Sequence, residues 1–239
     1  MMGVSNSISR LADYYVRHGL GATIHRARIA GRRKLFAGRM VVFYFDLNEP
    51  RLFPADIPKA FVMERVEALA GLKAEHLEAM TSFWNPKLAS KNIQERFGKG
   101  ASLWLVESEG RLAGYGWTLQ GNTMEPYYFP LAKYDVHLFD FHVFPCYRGR
   151  GLNPCLIRSI LATLATKCKG RAFIEAAEWN DAQLLSLRKT SFRCLGLVRS
   201  FTILGHAFSS WTENRAAVQM HKGVDSMDQI LRTATSNEQ

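Results

Sequence analysis

The segment that most constrains this chain runs from an apolar strand, through a basic turn, into an amphipathic helix. Its sequence, VFPCYRGRGLN, occupies residues 143–153. The first turn of a helix leaves backbone N–H groups unpaired and presents partial positive charge, which attracts anions. Gly149 and Gly151 let the backbone close around a phosphate, and Arg148 and Arg150 add full charges. Taken alone, the segment fits either a diphosphate site at the start of this helix or an ordinary strand–turn–helix connection with surface arginines.

Other cofactor classes fit the sequence less well. It has no Gly-Lys-Ser/Thr of a P-loop and no G-x-G-x-x-G of a dinucleotide fold. The four cysteines form no C-x-x-C pair, so we expect no zinc or other metal site and no disulfide framework. Reduced thiols of this kind are typical of a cytoplasmic protein, which is the location we expect.

Hydrophobic periodicity predicts several strands and a few helices. The predicted strands are 40–47, 60–66, 101–107, 111–119, 135–144, 171–178 and 192–204. The predicted helices are two segments within 73–97, separated at Asn85-Pro86, and the segments 152–166 and 180–190. Residues 120–134 are rich in tyrosine, proline and phenylalanine and are predicted to be an irregular loop.

Charge divides the chain unevenly. Residues 1–40 contain eight basic residues and one acidic residue, a net charge of +7, which leaves +3 for the other 199 residues. We therefore expect a basic, helical N-terminal arm (1–40), a folded domain (41–224) and a polar C-terminal tail (225–239). The arm could dock on the domain, contact an anionic membrane surface or remain solvated. A nucleic-acid partner is disfavoured because the domain itself is nearly balanced in charge.

The motifs resemble those of the GNAT (Gcn5-related N-acetyltransferase) superfamily, over roughly residues 60 to 205. The family turn V-x-P-x-Y-R-G, continued by a glycine-bearing segment, and the downstream motif N-x-x-(A/S)-x-x-x-Y-x-K-x-G-F are both matched in part. The matching residues are Val143, Pro145, Tyr147, Arg148, Gly151, Asn180, Lys189 and Phe192. The sequence departs from the pattern at Asn153, Leu187 and Ser191. Leu187 stands where many members place the tyrosine that protonates the departing thiolate.

The resemblance implies an α+β fold, with a mixed, mostly antiparallel central sheet flanked by helices. It also implies acetyl-CoA or another acyl-CoA as co-substrate, and a set of cofactor-binding residues on the strand, the turn and the following helix. These are Phe141, Val143, Arg148, Gly149, Arg150, Gly151, Leu152, Asn153 and Asn180.

The same resemblance places the reacting acyl group beside the strand that ends at Val143. His137 lies where many members have a glutamate or histidine, and imidazole titrates near neutrality, which suits a general base. Strand parity predicts that Asp140 and His142 face away from His137. A bulge in this strand would invert the parity, so both residues stay open as alternative bases.

We therefore expect an acyl-CoA-dependent N-acyltransferase, most simply an N-acetyltransferase, acting on a small amine such as an amino sugar or amino acid. The aromatic residues Tyr127, Tyr128 and Phe129 could line the acceptor pocket or cover the core. No run of acidic residues predicts a trough for polyamines. The alternative is a catalytically weak or inactive GNAT-fold module that acts through its basic arm on membrane lipid or nucleic acid.

Overall fold

The computed structural model describes residues 38–49, 57–82, 85–125, 127–167, 169–203 and 206–212. Its strands are β1 (Arg39–Asp46), β2 (Val62–Val66), β3 (Ser102–Ser108), β4 (Arg111–Gln120), β5 (Val136–Val143), β6 (Arg171–Ala177), β7 (Arg193–Ile203) and β8 (His206–Thr212). Its helices are α1 (Ala74–Ser82), α2 (Pro86–Gly98), α3 (Leu152–Lys167) and α4 (Asp181–Leu187). The predicted N-terminal arm, apart from its last residues, and the predicted tail lie outside the described residues.

The described strands form one sheet in the order β2-β3-β4-β5-β6-β1-β7-β8. Every neighbouring pair is antiparallel except β5 and β6, which are parallel. The parallel pair is possible because α3 provides the crossover that parallel strands require. The predicted α+β fold with a mostly antiparallel sheet is confirmed.

Both faces of the sheet are covered. On one face, α3 packs its buried residues, such as Leu156, Ile157 and Ile160, against the strands. On the opposite face, the strands β2 to β4 pack under α1 and α2. The other half of that face is covered by the loop around Phe129, which packs on Phe173 of β6. Between α2 and this loop, the middle of this face of the sheet stays uncovered.

The break between the two helices of segment 73–97 lies where the sequence predicts it. The side chain of Asn85 caps α2 by accepting a hydrogen bond from the N–H of Leu88 at 3.3 Å. Pro86 follows as the first helical residue, where its missing N–H has no helical partner to lose.

Two boundaries differ from the sequence prediction. α4 ends at Leu187, whereas the pattern predicts a helix to Thr190. The last three residues form turns instead, and the hydroxyl of Thr190 donates to the carbonyl of Leu187 at 2.6 Å. β8 was not predicted; it pairs with β7 in antiparallel register. Within the described ranges, no helix is both long and apolar enough to cross a membrane.

Candidate active site

The sheet opens in its middle, between the parallel strands β5 and β6. Among the described residues, these strands pair only from Val136 to Leu138 on β5 and from Ala172 to Ile174 on β6. After Leu138, β5 continues to Val143 in contact with β4 but leaves β6. A cleft therefore opens between two neighbouring strands, at the point where β5 runs toward the basic turn.

A bulge in β5 marks the start of this cleft. Asp140 has a φ of 48°, a conformation that only a few per cent of non-glycine residues adopt. The register with β4 shifts at this point, because Tyr115 pairs with His142 while Trp117 pairs with Phe139. The four residues 139–142 of β5 thus stand opposite the three residues 115–117 of β4. The extra residue reverses the alternation of side chains beyond it.

The bulge brings all three predicted catalytic candidates to one face of the sheet. The expectation that Asp140 and His142 face away from His137 is wrong, because it assumed regular alternation. His142 stacks on Tyr115, on the face covered by α1 and α2. The carboxylate of Asp140 forms an ion pair with the guanidinium of Arg96 on α2.

Two glycines of β4 accommodate the bulged strand. A Cβ atom at Gly116 would collide with the ring of Phe141. A Cβ atom at Gly114 would lie 2.8 Å from the carbonyl oxygen of His142. The sequence Gly114-Tyr-Gly116 therefore lets β5 approach β4 closely while its register changes.

A first groove, here called the turn groove, extends from the end of β5 over the basic turn to α4. It encloses about 430 Å³. Its lining includes eight of the nine predicted cofactor-binding residues, which are Phe141, Val143, Arg148, Gly149, Gly151, Leu152, Asn153 and Asn180. Arg150 is not part of the lining; its guanidinium lies 5.8 Å from the ring centre of Tyr147.

The glycines of the turn suit a bound diphosphate. Gly149 and Gly151 have φ values of 78° and 71°. Apart from each glycine and its chain neighbours, no atom of the described residues lies within 4 Å of the position that a Cβ would take. Arg148 supports the turn, since its Nε atom donates to the carbonyl oxygen of Val143 at 2.9 Å. An open backbone cradle at the start of a 16-residue helix therefore stands beside fixed positive charge.

The structure accounts for two of the departures from the family motifs, Asn153 and Leu187, and for the matching residue Asn180. The Nδ2 atom of Asn153 donates to Gln183 at 3.1 Å and to Ser186 at 2.9 Å, so this side chain joins α3 to α4. Asn180 lines the groove and caps α4, accepting from the N–H of Gln183 at 3.2 Å. Leu187 is fully buried in the core, so its position offers no proton donor.

A second groove, here called the carboxylate groove, lies on the opposite face, in the gap between α2 and the loop. It encloses about 300 Å³. α2, the loop and the strands β5 and β6 all contribute to it, with Asn92, Glu95, Arg96, Met124, Glu125, Tyr127, Tyr128, His137, Phe139 and Glu175. Of the predicted aromatic trio, Tyr127 and Tyr128 line the groove, whereas Phe129 is buried in the core.

Three side chains in this groove form a hydrogen-bonded unit centred on Glu175. The Nε2 atom of His137 lies 2.9 Å from Oε2 of Glu175 and 3.2 Å from Oε1. The hydroxyl of Tyr127 donates to Oε2 at 3.0 Å. An ionised carboxylate can only accept, so Nε2 of His137 is the donor to Glu175.

The environment fixes the protonation of the neighbouring groups. Burial and the negative charge of Glu175 hold the pKa of Tyr127 well above its usual range, so its hydroxyl remains a donor. Burial, assisted by the positive charge of Arg148, lowers the pKa of His142, with Asp140 opposing. His142 is therefore neutral near neutral pH.

Sequence reasoning missed Glu175 and Arg96. Glu175 is the one carboxylate within the apolar strand RAFIEAA, and a buried acid at an inward-facing position is a signal that could have identified it. Arg96 gave no comparable signal. Its guanidinium lies 5.2 Å from the ring centre of Trp117 and 5.5 Å from that of Phe139, contacts that only the fold creates.

A known protein family matches part of the chain. Residues 69–186, which include α1, α2, β3 to β6 and the basic turn, match the model of the acetyltransferase (GNAT) family. The chain contains a GNAT acetyltransferase domain. The family predicted from the motifs is thereby confirmed. A search of curated protein sequences finds no match.

Solved structures similar to this GNAT domain include several family members. A GNAT-family protein from Novosphingobium aromaticivorans is 19% identical, with a TM-score of 0.43 over 66% of this chain and 63% of its own. An acetyltransferase from Colwellia psychrerythraea is 13% identical, with a TM-score of 0.47 over 65% and 52%. An aminoglycoside acetyltransferase from a soil metagenome, in complex with sisomicin, is 20% identical, with a TM-score of 0.41 over 55% and 88%. The chain spans less than two thirds of the length of the first two proteins.

Proposed function

We propose that this protein is an acyl-CoA-dependent N-acyltransferase that acetylates a small amine. One observation supports the proposal above the others. The turn groove and the carboxylate groove are both lined by β5, the first by Phe141, His142 and Val143 and the second by His137 and Phe139. Phe139 and Phe141, on either side of Asp140 at the bulge, line the carboxylate groove and the turn groove respectively. We infer that two substrates, one in each groove, would approach each other at the bulge.

The turn groove is the proposed site for acyl-CoA. Gly149, Gly151 and the first N–H groups of α3 would hold its diphosphate, with Arg148 nearby. The bound thioester supplies an activated acyl group. Asn153 already has partners on α4, so we assign it a positioning role between the two helices.

The carboxylate groove is the proposed site for the amine. An attacking amine must lose a proton, and Glu175 offers a carboxylate that is 19% exposed and lines the groove. His137 is only 5% exposed, and its Nε2–H is directed to Glu175. We therefore propose Glu175 as the proton acceptor, with His137 and Tyr127 as residues that position its carboxylate.

The proposed reaction balances without a metal or redox partner. The amine nitrogen forms a bond to the acyl carbon, and the carbon–sulfur bond breaks. The ammonium form of the substrate first releases one proton to solvent, and the nitrogen passes a second proton to Glu175 as it forms the amide. The sulfur leaves as a thiolate that takes a proton from solvent. A thiol has a pKa of about 8.5, so a thiolate can leave near neutral pH without a dedicated acid.

The first test of this function is a thermal-stability measurement with acetyl-CoA. A ligand that binds only the folded chain at about 100 times its dissociation constant stabilises it by about 2.7 kcal/mol. For a chain of this size that corresponds to a rise of about 5–10 °C in the melting temperature. A series of longer acyl-CoA esters would define the chain length that fits. No rise with any ester at millimolar concentration would refute the proposal.

A further inference from the structure

The carboxylate groove is acidic in a protein whose net charge is +10. Glu95, Glu125 and Glu175 all line it, from α2, the loop and β6. Both cations near the lining are already engaged: Arg96 is paired with Asp140, and the exposed Lys99 donates to the carbonyl oxygen of Met124 at 2.8 Å and lies 3.6 Å from Glu95. The guanidinium of Arg96 also packs on two aromatic rings. The groove therefore has a local negative potential that opposes the charge of the whole chain.

We propose that the acceptor is a small di- or polyamine, with one amine at Glu175 and a second, cationic amine held by Glu95 and Glu125. This inference rests on the proposed N-acyltransferase function and deepens it. Alkylamines are protonated at neutral pH, because their pKa lies near 10. A second ammonium group would be attracted by the remaining carboxylates, whereas the carboxylate of an amino acid would be repelled.

The aromatic lining supports a cationic ligand independently of the carboxylates. The rings of Tyr127 and Tyr128 lie 4.8 Å apart, and both line the groove with Phe139. Aromatic faces attract ammonium groups and pack against the methylene groups between them. Acidic side chains interleaved with aromatic rings form a surface suited to an alkyl chain with charged ends.

A polar atom without a partner also points to a ligand at this place. His137 lines the groove, and within the described chain its Nδ1 atom has no hydrogen-bond partner. Buried polar atoms are nearly always hydrogen-bonded, so an exception beside a groove fits a site completed by a bound molecule. In the neutral ring whose Nε2 donates to Glu175, Nδ1 would be the atom that accepts a hydrogen bond from an ammonium group.

The experiment that tests this inference compares three amines with the same four-carbon chain as acceptors. Putrescine has two amines, butylamine has one, and γ-aminobutyrate has a carboxylate in place of the second amine. With acetyl-CoA, we expect kcat/KM for putrescine to exceed that for butylamine by about tenfold, the effect of two partly exposed ion pairs. We expect γ-aminobutyrate to be the poorest substrate. Equal rates for the three amines would overturn the inference and leave the proposed function intact.

Substitutions of Glu95 and Glu125 test whether these carboxylates bind the second amine. The double substitution Glu95→Gln with Glu125→Gln should raise KM for putrescine about tenfold and leave KM for butylamine within about twofold. Glu78→Gln, on the exposed surface of α1 and outside the groove, is the matched control. If the double variant affects both amines equally, the second amine is not bound by these carboxylates and the inference fails.

Direct binding separates this inference from the proposed function. Putrescine binding to the full chain is measured by calorimetry, with and without CoA. If no amine supports release of CoA, the acyltransferase function fails. Putrescine binding that is weakened in the double variant would still establish the groove as a diamine site. Absence of putrescine binding under both conditions would overturn the inference.

Discussion

The Nε2 atom of His137 lies 2.9 Å from a carboxylate oxygen of Glu175, although 38 positions separate the two residues in the chain. The parallel pairing of β5 and β6 creates this contact. His137 is opposite Phe173 in the register, and Glu175 follows two residues later on the same face of β6. The pair therefore stands where the two strands begin to separate, beside the proposed path of the acyl group.

Glu175→Gln should lower kcat by about 10²-fold or more, because the amide cannot accept the proton of the amine. The affinity for acetyl-CoA should remain unchanged, since Glu175 does not line the turn groove. Steady-state release of CoA and calorimetric titration measure the two effects. Glu78→Gln again serves as the control. Undiminished turnover in Glu175→Gln would remove Glu175 from the mechanism.

The role of His137 is distinguished from that of Glu175 by comparing two substitutions. His137→Ala removes the hydrogen bond to Glu175, whereas His137→Gln retains an N–H that can donate. A positioning role predicts a smaller loss of kcat than in Glu175→Gln, with partial recovery in His137→Gln. If His137→Ala is the more damaging variant and glutamine restores nothing, His137 itself is the base, as the sequence pattern predicts.

The stability of the protein should decrease in mild acid, partly because of His142. Burial and Arg148 lower its pKa in the folded state, so the unfolded state binds the proton more readily. The contribution is fully present above the unfolded pKa of about 6.5 and is lost as the pH falls through that value toward the lower folded pKa.

His142→Phe should flatten this dependence, because it keeps a ring that can stack on Tyr115 but cannot titrate. One proton changes the slope of unfolding free energy by at most about 1.4 kcal/mol per pH unit. Urea unfolding of both proteins between pH 5 and about pH 8 measures the difference. Identical slopes would show that His142 titrates equally in both states.

Gly151→Val should both destabilise the fold and weaken acyl-CoA binding. A β-branched residue at a φ of 71° costs about 1–2 kcal/mol, although no neighbouring atom crowds its Cβ. The added side chain would also extend from the turn that the diphosphate is proposed to occupy. Gly98→Ala, at the end of α2 where space is open and φ is not positive, should leave melting temperature and binding nearly unchanged.

The two effects of Gly151→Val can be separated by measuring each directly. Thermal unfolding without ligand gives the cost of the backbone, and calorimetry at a temperature where both proteins are folded gives the affinity. A variant that is destabilised but binds acetyl-CoA with full affinity would contradict the placement of the diphosphate at this turn.

Much of the fold could be predicted from the sequence because its signals are local. Apolar runs such as residues 40–47 and 101–107 gave strands, and Asn85-Pro86 gave the boundary between two helices. The basic turn was predicted for the same reason, since glycines, arginines and a following helix are adjacent in sequence. Eight of the nine residues predicted to bind the cofactor line one groove.

The acceptor side could not be predicted in this way because it is assembled from distant segments. The bulge at Asp140 depends on how β5 pairs with Gly114 and Gly116 of β4, which no pattern within β5 encodes. Glu95, Glu125 and Glu175 lie on three separate elements and come together only in the folded chain. The sequence therefore contains no run of acidic residues that would predict an acidic groove.

The measurement that tests the central claim most directly is transfer of the acetyl group itself. The full-length protein is incubated with acetyl-CoA and a mixture of small amines that includes putrescine, and the products are identified by mass spectrometry. The proposed function predicts an N-acetylated amine and an equal amount of free CoA, both reduced about 10²-fold in Glu175→Gln. Binding of acetyl-CoA without any acetylated amine would contradict it and indicate a GNAT-fold binding module instead.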